Sequence, residues 1–187
     1  SDDMAVFSAT NLARFDAVVF NNTTGLSFDD EAQRAALLSF VNEGKGIVGI
    51  HAASDNFPSW PEAVAIMGGQ FDGHPWTGDG TWAVKNDAPA NPLNTSFEGK
   101  GFSIKDEIYQ VKGPYSRATH RVLLSLDMAV AATAAPGGQN RVDKDNPIAW
   151  IKPCGKGRVF YCSLGHNNEV YWNPPVLQHY LAGIQYA

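Results

Sequence analysis

The apolar residues in the first third of the chain are arranged as a strand, a helix and a second strand. Residues 15–20 and 46–50 form two short, mainly apolar runs, and the second contains no polar residue, which is typical of a strand buried on both faces. Residues 31–43 carry apolar side chains at helical spacing, and Gly44 follows them as a stop signal. A strand–helix–strand unit of this kind is right-handed, and its two strands are parallel.

The polar residues that follow these two strands are the first candidates for function. Asn21 and Asn22 follow the first strand, and the segment from His51 to Asp55 follows the second. Ligands of parallel α/β sheets bind outside the carboxyl ends of the strands, so these residues are expected at one functional edge. Each has an alternative explanation: the asparagines suit turn chemistry, and His51 suits a core or capping position.

Two later segments add candidates. Residues 103–111 alternate like a half-buried strand, with Glu107 and Tyr109 on one face. If the isoleucines mark the core side, Glu107 faces either solvent or a site. Residues 158–164 are predicted to form a buried strand, the second of a hairpin, and His166 follows that strand after a glycine. His166 therefore occupies the same kind of position as the earlier histidine.

Three further segments are predicted from the same patterns. His74 lies between glycine and proline in an aperiodic loop, where it is either a surface residue or a ligand. Residues 128–144 show no period, and a loop of this length is a candidate lid. The final helix, residues 176–186, is expected to pack an apolar stripe that includes Leu181 inward and to leave His179 exposed.

Composition narrows the class of protein. The 187 residues are 44% hydrophobic and 18% charged, which predicts one soluble folded domain over residues 1–187. The formal charge is -5 with no cluster of basic residues, so neither nucleic acid nor a membrane is an expected partner. A small-molecule ligand remains the expected partner. The oligomeric state is left open, and so is the compartment, cytoplasmic or periplasmic and secreted.

The cysteines and the absent motifs exclude several kinds of site. Cys154 lies at the tip of the predicted hairpin and Cys162 about five strand residues away, roughly 15 Å at the rise of a strand. A disulfide tolerates roughly 7 Å between Cα atoms, so two free thiols are expected. No P-loop, Gly-x-Gly-x-x-Gly, His-Glu-x-x-His or Gly-x-Ser-x-Gly motif is present, and no nucleotide cofactor is expected.

Five motifs together resemble the ThuA-like (trehalose utilisation) family: Gly49–Asp55, Phe71–Pro75, Asp106–Tyr109, Asn146–Trp150 and Gly157–His166. The resemblance implies an α/β fold with a three-layer flavodoxin-like sheet, similar to class I glutamine amidotransferases. That sheet would be mostly parallel with a C-terminal hairpin. Because the first predicted strand lies only at residues 15–20, the usual first strand and helix of the family are expected to be lacking.

The resemblance also bears on the chemistry. The amidotransferase relatives carry a nucleophilic cysteine in the turn where this chain has His51, which argues against a glutaminase. Two positions depart from the family pattern, since Asn91 and Asn146 stand where histidine is common. By resemblance, the catalytic candidates are His51, His166 and Glu107. The substrate-binding candidates are Asn21, Asn22, Asp55, Trp76 and Tyr109.

The family implies an enzyme of carbohydrate catabolism, acting on a disaccharide or glycoside that is plausibly in its 3-keto form. His51, His74 and His166 would hold a divalent metal such as Zn²⁺ or Mn²⁺, or the histidines would form a metal-free acid/base pair. Cleavage would then be that of a hydrolase or a lyase. The alternatives are a non-catalytic sugar-binding or scaffold module with a vestigial amidotransferase fold, and a hydrolase of unoxidised esters or amides.

Overall fold

The computed structural model describes residues 3–187 and contains a seven-stranded mixed sheet with helices on both faces. The strand order is β1-β2-β9-β8-β7-β4-β5, and β3 and β6 form a separate two-stranded sheet. The strands are β1 (Ala17–Asn21), β2 (Gly46–Ile50), β3 (Gln70–Phe71), β4 (Thr81–Asn86), β5 (Phe102–Lys105), β6 (Val111–Lys112), β7 (Arg121–Leu126), β8 (Pro147–Cys154) and β9 (Gly157–Cys162).

Helices are mostly short and connect these strands. The α-helices are α1 (Ala9–Leu12), α2 (Glu31–Asn42), α3 (Pro61–Met67), α4 (Ala131–Ala134) and α5 (Pro174–Tyr186). The 3-10 helices are Met4–Val6, His51–Asp55, Pro92–Phe97 and Asn168–Trp172. Within residues 3–187, no helix has both the length and the apolarity that a membrane crossing needs.

The predicted βαβ unit is confirmed. The Asp30 side chain caps α2 by accepting a hydrogen bond from Ala32 N at 2.8 Å, and α2 connects β1 to β2. β1 pairs with β2 and β2 pairs with β9, both in parallel. The register aligns Asn21 with Ile50, and Ile50 with Cys162, so the carboxyl ends of three strands meet at one edge.

The predicted α/β fold of the flavodoxin-like type is confirmed, and its antiparallel part is larger than the expected C-terminal hairpin. Beyond β9, the strands β8, β7, β4 and β5 all pair antiparallel with their neighbours, which limits parallel pairing to three strands. Parallel neighbours need a long crossover, usually a helix. The connections between these later strands contain no helix longer than Pro92–Phe97, so the strands turn back on themselves instead.

Alternate residues of the central strands supply two separate cores. Ile47 and Tyr161 belong to the core under α2 and α3, whereas Val48 and Phe160 belong to the core under α5. Successive side chains of a strand point to opposite faces, so the uninterrupted apolar runs of β2 and β9 fill both cores. The three layers are helices, sheet and helices. Both cysteines are free, as predicted.

The orientation of α5 differs from the expectation. His179 is fully buried, with Nδ1 donating to Leu93 O at 2.8 Å, whereas 54% of Leu181 is exposed. The reason is Gly183, where an added Cβ would lie 2.4 Å from a ring atom of Phe160. The helix approaches the sheet closely along its glycine face, and that face also carries His179.

Candidate functional site

His51 leaves β2 in an unusual backbone conformation at the carboxyl edge of the sheet. Its φ is +46°, a left-handed value that is rare for residues other than glycine. Two hydrogen bonds hold it there: Tyr161 Oη donates to His51 O at 2.7 Å, and His51 Nδ1 donates to Ser163 O at 2.7 Å. Because a carbonyl only accepts, the ring proton lies on Nδ1 and Nε2 carries a lone pair.

The surroundings of His51 keep its ring neutral. The residue is 1% exposed, and this burial lowers its pKa to about 4, with Coulombic interactions with His166 and His74 acting in the same direction. The hydrogen bond to Ser163 opposes the change but does not cancel it. Nε2 is buried and has no hydrogen-bond partner among residues 3–187. A buried nitrogen without a partner is costly, which makes it a candidate ligand atom.

Three imidazoles surround the carboxylate of Glu107. Its Oε1 lies 3.6 Å from His51 Nε2 and 3.4 Å from His166 Nδ1, and its Oε2 lies 3.4 Å from His74 Nδ1. The Glu107 side chain is only 12% exposed, while about half of the His74 and His166 side chains remains accessible. The site is therefore open on one side and closed behind His51.

His51, Glu107 and His166 can hold a metal ion. Each offers one ligand atom, and the three atoms all lie within 4.8 Å of one another. His51 Nε2 and Glu107 Oε1 are both acceptors, so a cation between them would satisfy both. Two nitrogens and one carboxylate oxygen make a usual ligand set for zinc. The metal ligands predicted from the sequence were His51, His74 and His166. In this cluster Glu107 takes the place of His74, which contacts the second carboxylate oxygen of Glu107.

Glu107 reaches this position because the predicted strand over residues 103–111 is interrupted. β5 ends at Lys105, and the backbone continues through an isolated bridge between Ile108 and Trp76. Tyr109 N donates to Ser163 Oγ at 3.0 Å, which fastens this segment to the end of β9. Alternation alone placed Glu107 on a strand face, but the irregular path directs it to the edge of the parallel strands.

An aromatic wall lies beside the histidines. The ring of Tyr109 is 4.3 Å from the His51 ring and 4.3 Å from the ring of Phe71, measured between centroids. Burial, together with the carboxylates of Glu107 and Asp55, raises the pKa of Tyr109 to about 12, so its hydroxyl keeps its proton. In the sequence, Phe71 is the first residue of a family motif, and no role was predicted for it.

The other predicted ligand contacts are at the rim. Asn21 Oδ1 accepts a hydrogen bond from Tyr171 Oη at 3.0 Å, and Asn22 Nδ2 donates to Gly165 O at 3.4 Å. Asp55 Oδ2 accepts from Thr24 Oγ1 at 2.6 Å. The structure thus brings these three residues to the sheet edge that carries the histidines.

Trp76 lies elsewhere. It is fully buried in the core under α5, and its indole N–H donates to Thr133 O at 2.8 Å. Its backbone forms a bridge with Ile108, and its ring lies in the core and not on the site surface. Thr133 belongs to the segment predicted as a lid, which contains α4 and packs through this contact.

The two asparagines that depart from the family pattern have local contacts. Asn91 Oδ1 accepts from Leu93 N at 3.0 Å and caps the 3-10 helix Pro92–Phe97. Asn146 is buried, and its Nδ2 donates to Lys144 O at 3.4 Å. Each amide is therefore used to shape its own loop.

A family model described as "ThuA: Trehalose utilisation" matches residues 1–187. No curated protein matches the chain significantly.

Similar folds occur in solved structures. A putative ThuA-like protein from Bacteroides uniformis has a TM-score of 0.78 at 23% identity, over 100% of this chain and 74% of that one. A putative ThuA-like protein from Parabacteroides merdae has a TM-score of 0.71 at 18% identity, over 98% of this chain and 75% of that one. A β-galactosidase from Bacillus circulans sp. alkalophilus has a TM-score of 0.58 at 11% identity, over 92% of this chain and 22% of that one. At these identities the similarity concerns the fold alone.

Proposed function

Since the chain belongs to the ThuA family, we propose that it is a metal-dependent enzyme of carbohydrate breakdown with His51, Glu107 and His166 as ligands. The observation that carries the proposal is the approach of His51 Nε2 to Glu107 Oε1 at 3.6 Å, where two acceptors share a space that a cation would fill. Zn²⁺ and Mn²⁺ are the candidates, because imidazole and carboxylate ligands suit them.

The low pKa of His51 favours a ligand over a catalytic base. Efficient bases have a pKa near the working pH, so an imidazole with a pKa of about 4 has little driving force to take a proton at neutral pH. The same low pKa leaves Nε2 unprotonated and available to a cation. We assign the role of base to His74, because it is half exposed to substrate and its Nδ1 lies 3.4 Å from Glu107 Oε2, which can orient the ring.

The proposed substrate is a disaccharide or glycoside whose C3 hydroxyl has been oxidised to a ketone. The ketone acidifies the neighbouring C2–H bond, which brings it within the range of an imidazole base. His74 takes this proton, the C–H electron pair forms a C1–C2 double bond, and the C1–O bond breaks. The departing oxygen takes the bonding electron pair and a proton from solvent. The products are an unsaturated keto sugar and a free alcohol.

A bound divalent cation would supply positive charge that polarises the ketone oxygen. The protein's own residues would hold the sugar. Tyr109 and Phe71 offer aromatic faces on which the C–H side of a sugar ring packs, and the Tyr109 hydroxyl is a protonated donor. Asn21, Asn22 and Asp55 add amide and carboxylate groups at the rim for sugar hydroxyls.

Metal content is the first test. Purified protein is loaded with Zn²⁺, dialysed and analysed for bound metal, and the affinity is measured by calorimetry. We expect one ion per chain in the wild type and none in H51A or H166A. Glu98 is an exposed carboxylate that pairs with Lys100 and not with the histidines, and E98Q should bind like the wild type. Equal metal content in H51A and the wild type would remove the ligand assignment.

Turnover distinguishes the competing functions. The protein is incubated separately with three nitrophenyl compounds: a 3-keto-glucoside, the unoxidised glucoside and an unoxidised ester. Nitrophenol released only from the keto substrate, and lost in H74A, supports the proposed elimination. Saturable binding without release would favour the sugar-binding module. Release from the unoxidised ester would favour the general hydrolase.

A further inference from the structure

We propose that Asp106 is a positioning residue that holds His166 at the metal site by binding the backbone on both sides of it. This inference rests on the proposed function, because it concerns one ligand of the same site. Asp106 itself is completely buried. Its carboxylate accepts hydrogen bonds from the backbone of the His166 loop and also interacts with the backbone N–H of Glu107.

Each carboxylate oxygen of Asp106 accepts one backbone N–H of the loop. Oδ2 accepts from Gly165 N at 2.7 Å, and Oδ1 accepts from Asn167 N at 2.7 Å. These are the residues directly before and after His166. Hydrogen bonds to an ionised acceptor are among the strongest in proteins, and two of them fix both the position and the orientation of the loop.

The loop needs such a support. His166 lies between the end of β9 and the 3-10 helix Asn168–Trp172, outside both elements, and Gly165 has a φ of +126°. The Asn167 side chain adds a contact from Nδ2 to Lys105 O at 3.1 Å. Residues 105–107 therefore include both Asp106, which binds the His166 loop, and the proposed ligand Glu107. Their proximity in the chain couples the placement of His166 to that of Glu107.

The segment around Gly78 also contacts the loop. An added Cβ at Gly78 would lie 3.1 Å from Cδ2 of the His166 ring, and Asn167 Nδ2 donates to Gly78 O at 2.8 Å. Both the segment around Gly78 and the Asp106 carboxylate therefore contact the His166 loop. If the carboxylate loses one acceptor oxygen, the loop shifts and Nδ1 moves from its position 3.4 Å from Glu107 Oε1.

The first experiment compares D106N with D87N in the whole chain. Asp87 is a matched control, because it is a poorly exposed carboxylate that accepts from Ser125 Oγ and pairs with Arg117 away from the histidines. Affinity for Co²⁺ is measured by titration of its visible absorption. We expect D106N to weaken Co²⁺ binding about 10- to 100-fold, the usual effect of losing an outer partner of a ligand, and to lower the absorption intensity. D87N should bind Co²⁺ like the wild type.

A second measurement needs no metal. In the metal-free protein, nuclear Overhauser effects between the ring protons of His51 and His166 report their contact, since the ring centroids are 5.3 Å apart. D106N should lose these signals and D87N should keep them. If the wild type binds no Co²⁺, the metal proposal fails, while these signals still decide the role of Asp106. Unchanged signals and Co²⁺ affinity in D106N would overturn that role and leave the metal proposal standing.

A backbone variant covers the case in which D106N does not fold. Asn167 has φ of -79° and ψ of 138°, values that proline adopts, so N167P removes the N–H bound by Asp106 Oδ1. N167A removes the same side chain but keeps the N–H. We expect N167P to lose His51–His166 signals that N167A retains. Equal His51–His166 signals in the two variants would contradict the proposed role of Asp106.

Discussion

His51 Nε2 and Glu107 Oε1 face each other at 3.6 Å, while the Nδ1–H of the neutral His51 ring is donated to Ser163 O on the other side. The burial that lowers the pKa of His51 to about 4 also prevents a proton from filling this space at neutral pH. The arrangement is unfavourable for the protein alone and becomes favourable when a cation enters. A destabilised feature of this type is more often found at functional sites than in structural regions.

The first prediction concerns Glu107→Gln. The glutamine keeps the size of the side chain but loses the charge, and its amide can donate to the unpartnered His51 Nε2. We expect Zn²⁺ affinity to fall at least about tenfold, which corresponds to ~1.4 kcal/mol. The free energy of unfolding without metal should rise by about 1 kcal/mol, because a buried nitrogen gains a partner. Calorimetry and urea denaturation measure the two effects.

The opposite signs of these two changes make the prediction specific. A Glu107 that only stabilised the fold would lose stability as glutamine and leave Zn²⁺ binding unchanged. E98Q provides the matched comparison, since it also removes one negative charge but does so on an exposed side chain.

The second prediction concerns Tyr161→Phe. The hydroxyl donates to His51 O at 2.7 Å and contacts Ser54 Oγ at 3.0 Å, so it supports the left-handed conformation of His51. Its loss should lower the free energy of unfolding by about 1–2 kcal/mol and weaken Zn²⁺ binding. Tyr180→Phe is the control, because it removes a buried hydroxyl that donates to Leu164 O at 2.8 Å. We expect Y180F to be destabilised to a similar extent, with a smaller effect on Zn²⁺ affinity.

The local pattern of apolar residues was sufficient to predict the part of the fold that carries the site. The runs at β1 and β2, and the helix between them, are short-range features, and a βαβ unit has one handedness. From these facts the sequence predicts that Asn21 and His51 emerge at the same edge, as they do in the structure. The antiparallel strands were less predictable, because their order depends on which connections contain a helix.

The arrangement of the ligand atoms required the structure. Placing Glu107 in the cluster and His74 beside it depends on the irregular segment after Lys105, which alternation had assigned to a continuous strand. The role of Asp106 was equally hidden, since its partners are backbone N–H groups about 60 residues away in the chain and leave no mark in the pattern of side chains. The family motifs contained both acids but did not distinguish their functions.

The third prediction concerns Gly183→Ala in α5. Alanine is favoured over glycine within a helix by about 1 kcal/mol, which would stabilise an isolated helix. Here an added Cβ would lie 2.4 Å from Phe160, and overpacking typically costs about 1–3 kcal/mol. We therefore expect G183A to lower the free energy of unfolding by about 1–2 kcal/mol, measured by urea denaturation. A gain in stability would show that α5 does not pack this closely on the sheet.

The fourth prediction concerns acid stability, to which the buried histidines His51 and His179 contribute. Burial lowers the pKa of both His51 and His179 to about 4 in the folded chain, whereas an unfolded histidine has a pKa of about 6.5. Between these values the unfolded state binds more protons than the folded state, so stability falls as the pH decreases from about 6.5 to about 4 and is constant with respect to these groups above that range. Each histidine can contribute up to about 3 kcal/mol to the loss, since a pKa difference of one corresponds to ~1.4 kcal/mol.

His179→Gln isolates one of the two contributions. A glutamine amide can still donate to Leu93 O, as His179 Nδ1 does, but it does not titrate. We expect H179Q to be less stable than the wild type at pH 7 because the fit in the core is poorer. Its free energy of unfolding should nevertheless decline less steeply between pH 6.5 and 4, by up to about half of the wild-type change, because one histidine whose pKa is lowered in the folded state no longer titrates. Urea denaturation at closely spaced pH values measures the slope, and parallel profiles for the two proteins would show that the pKa of His179 is the same in the folded and unfolded states.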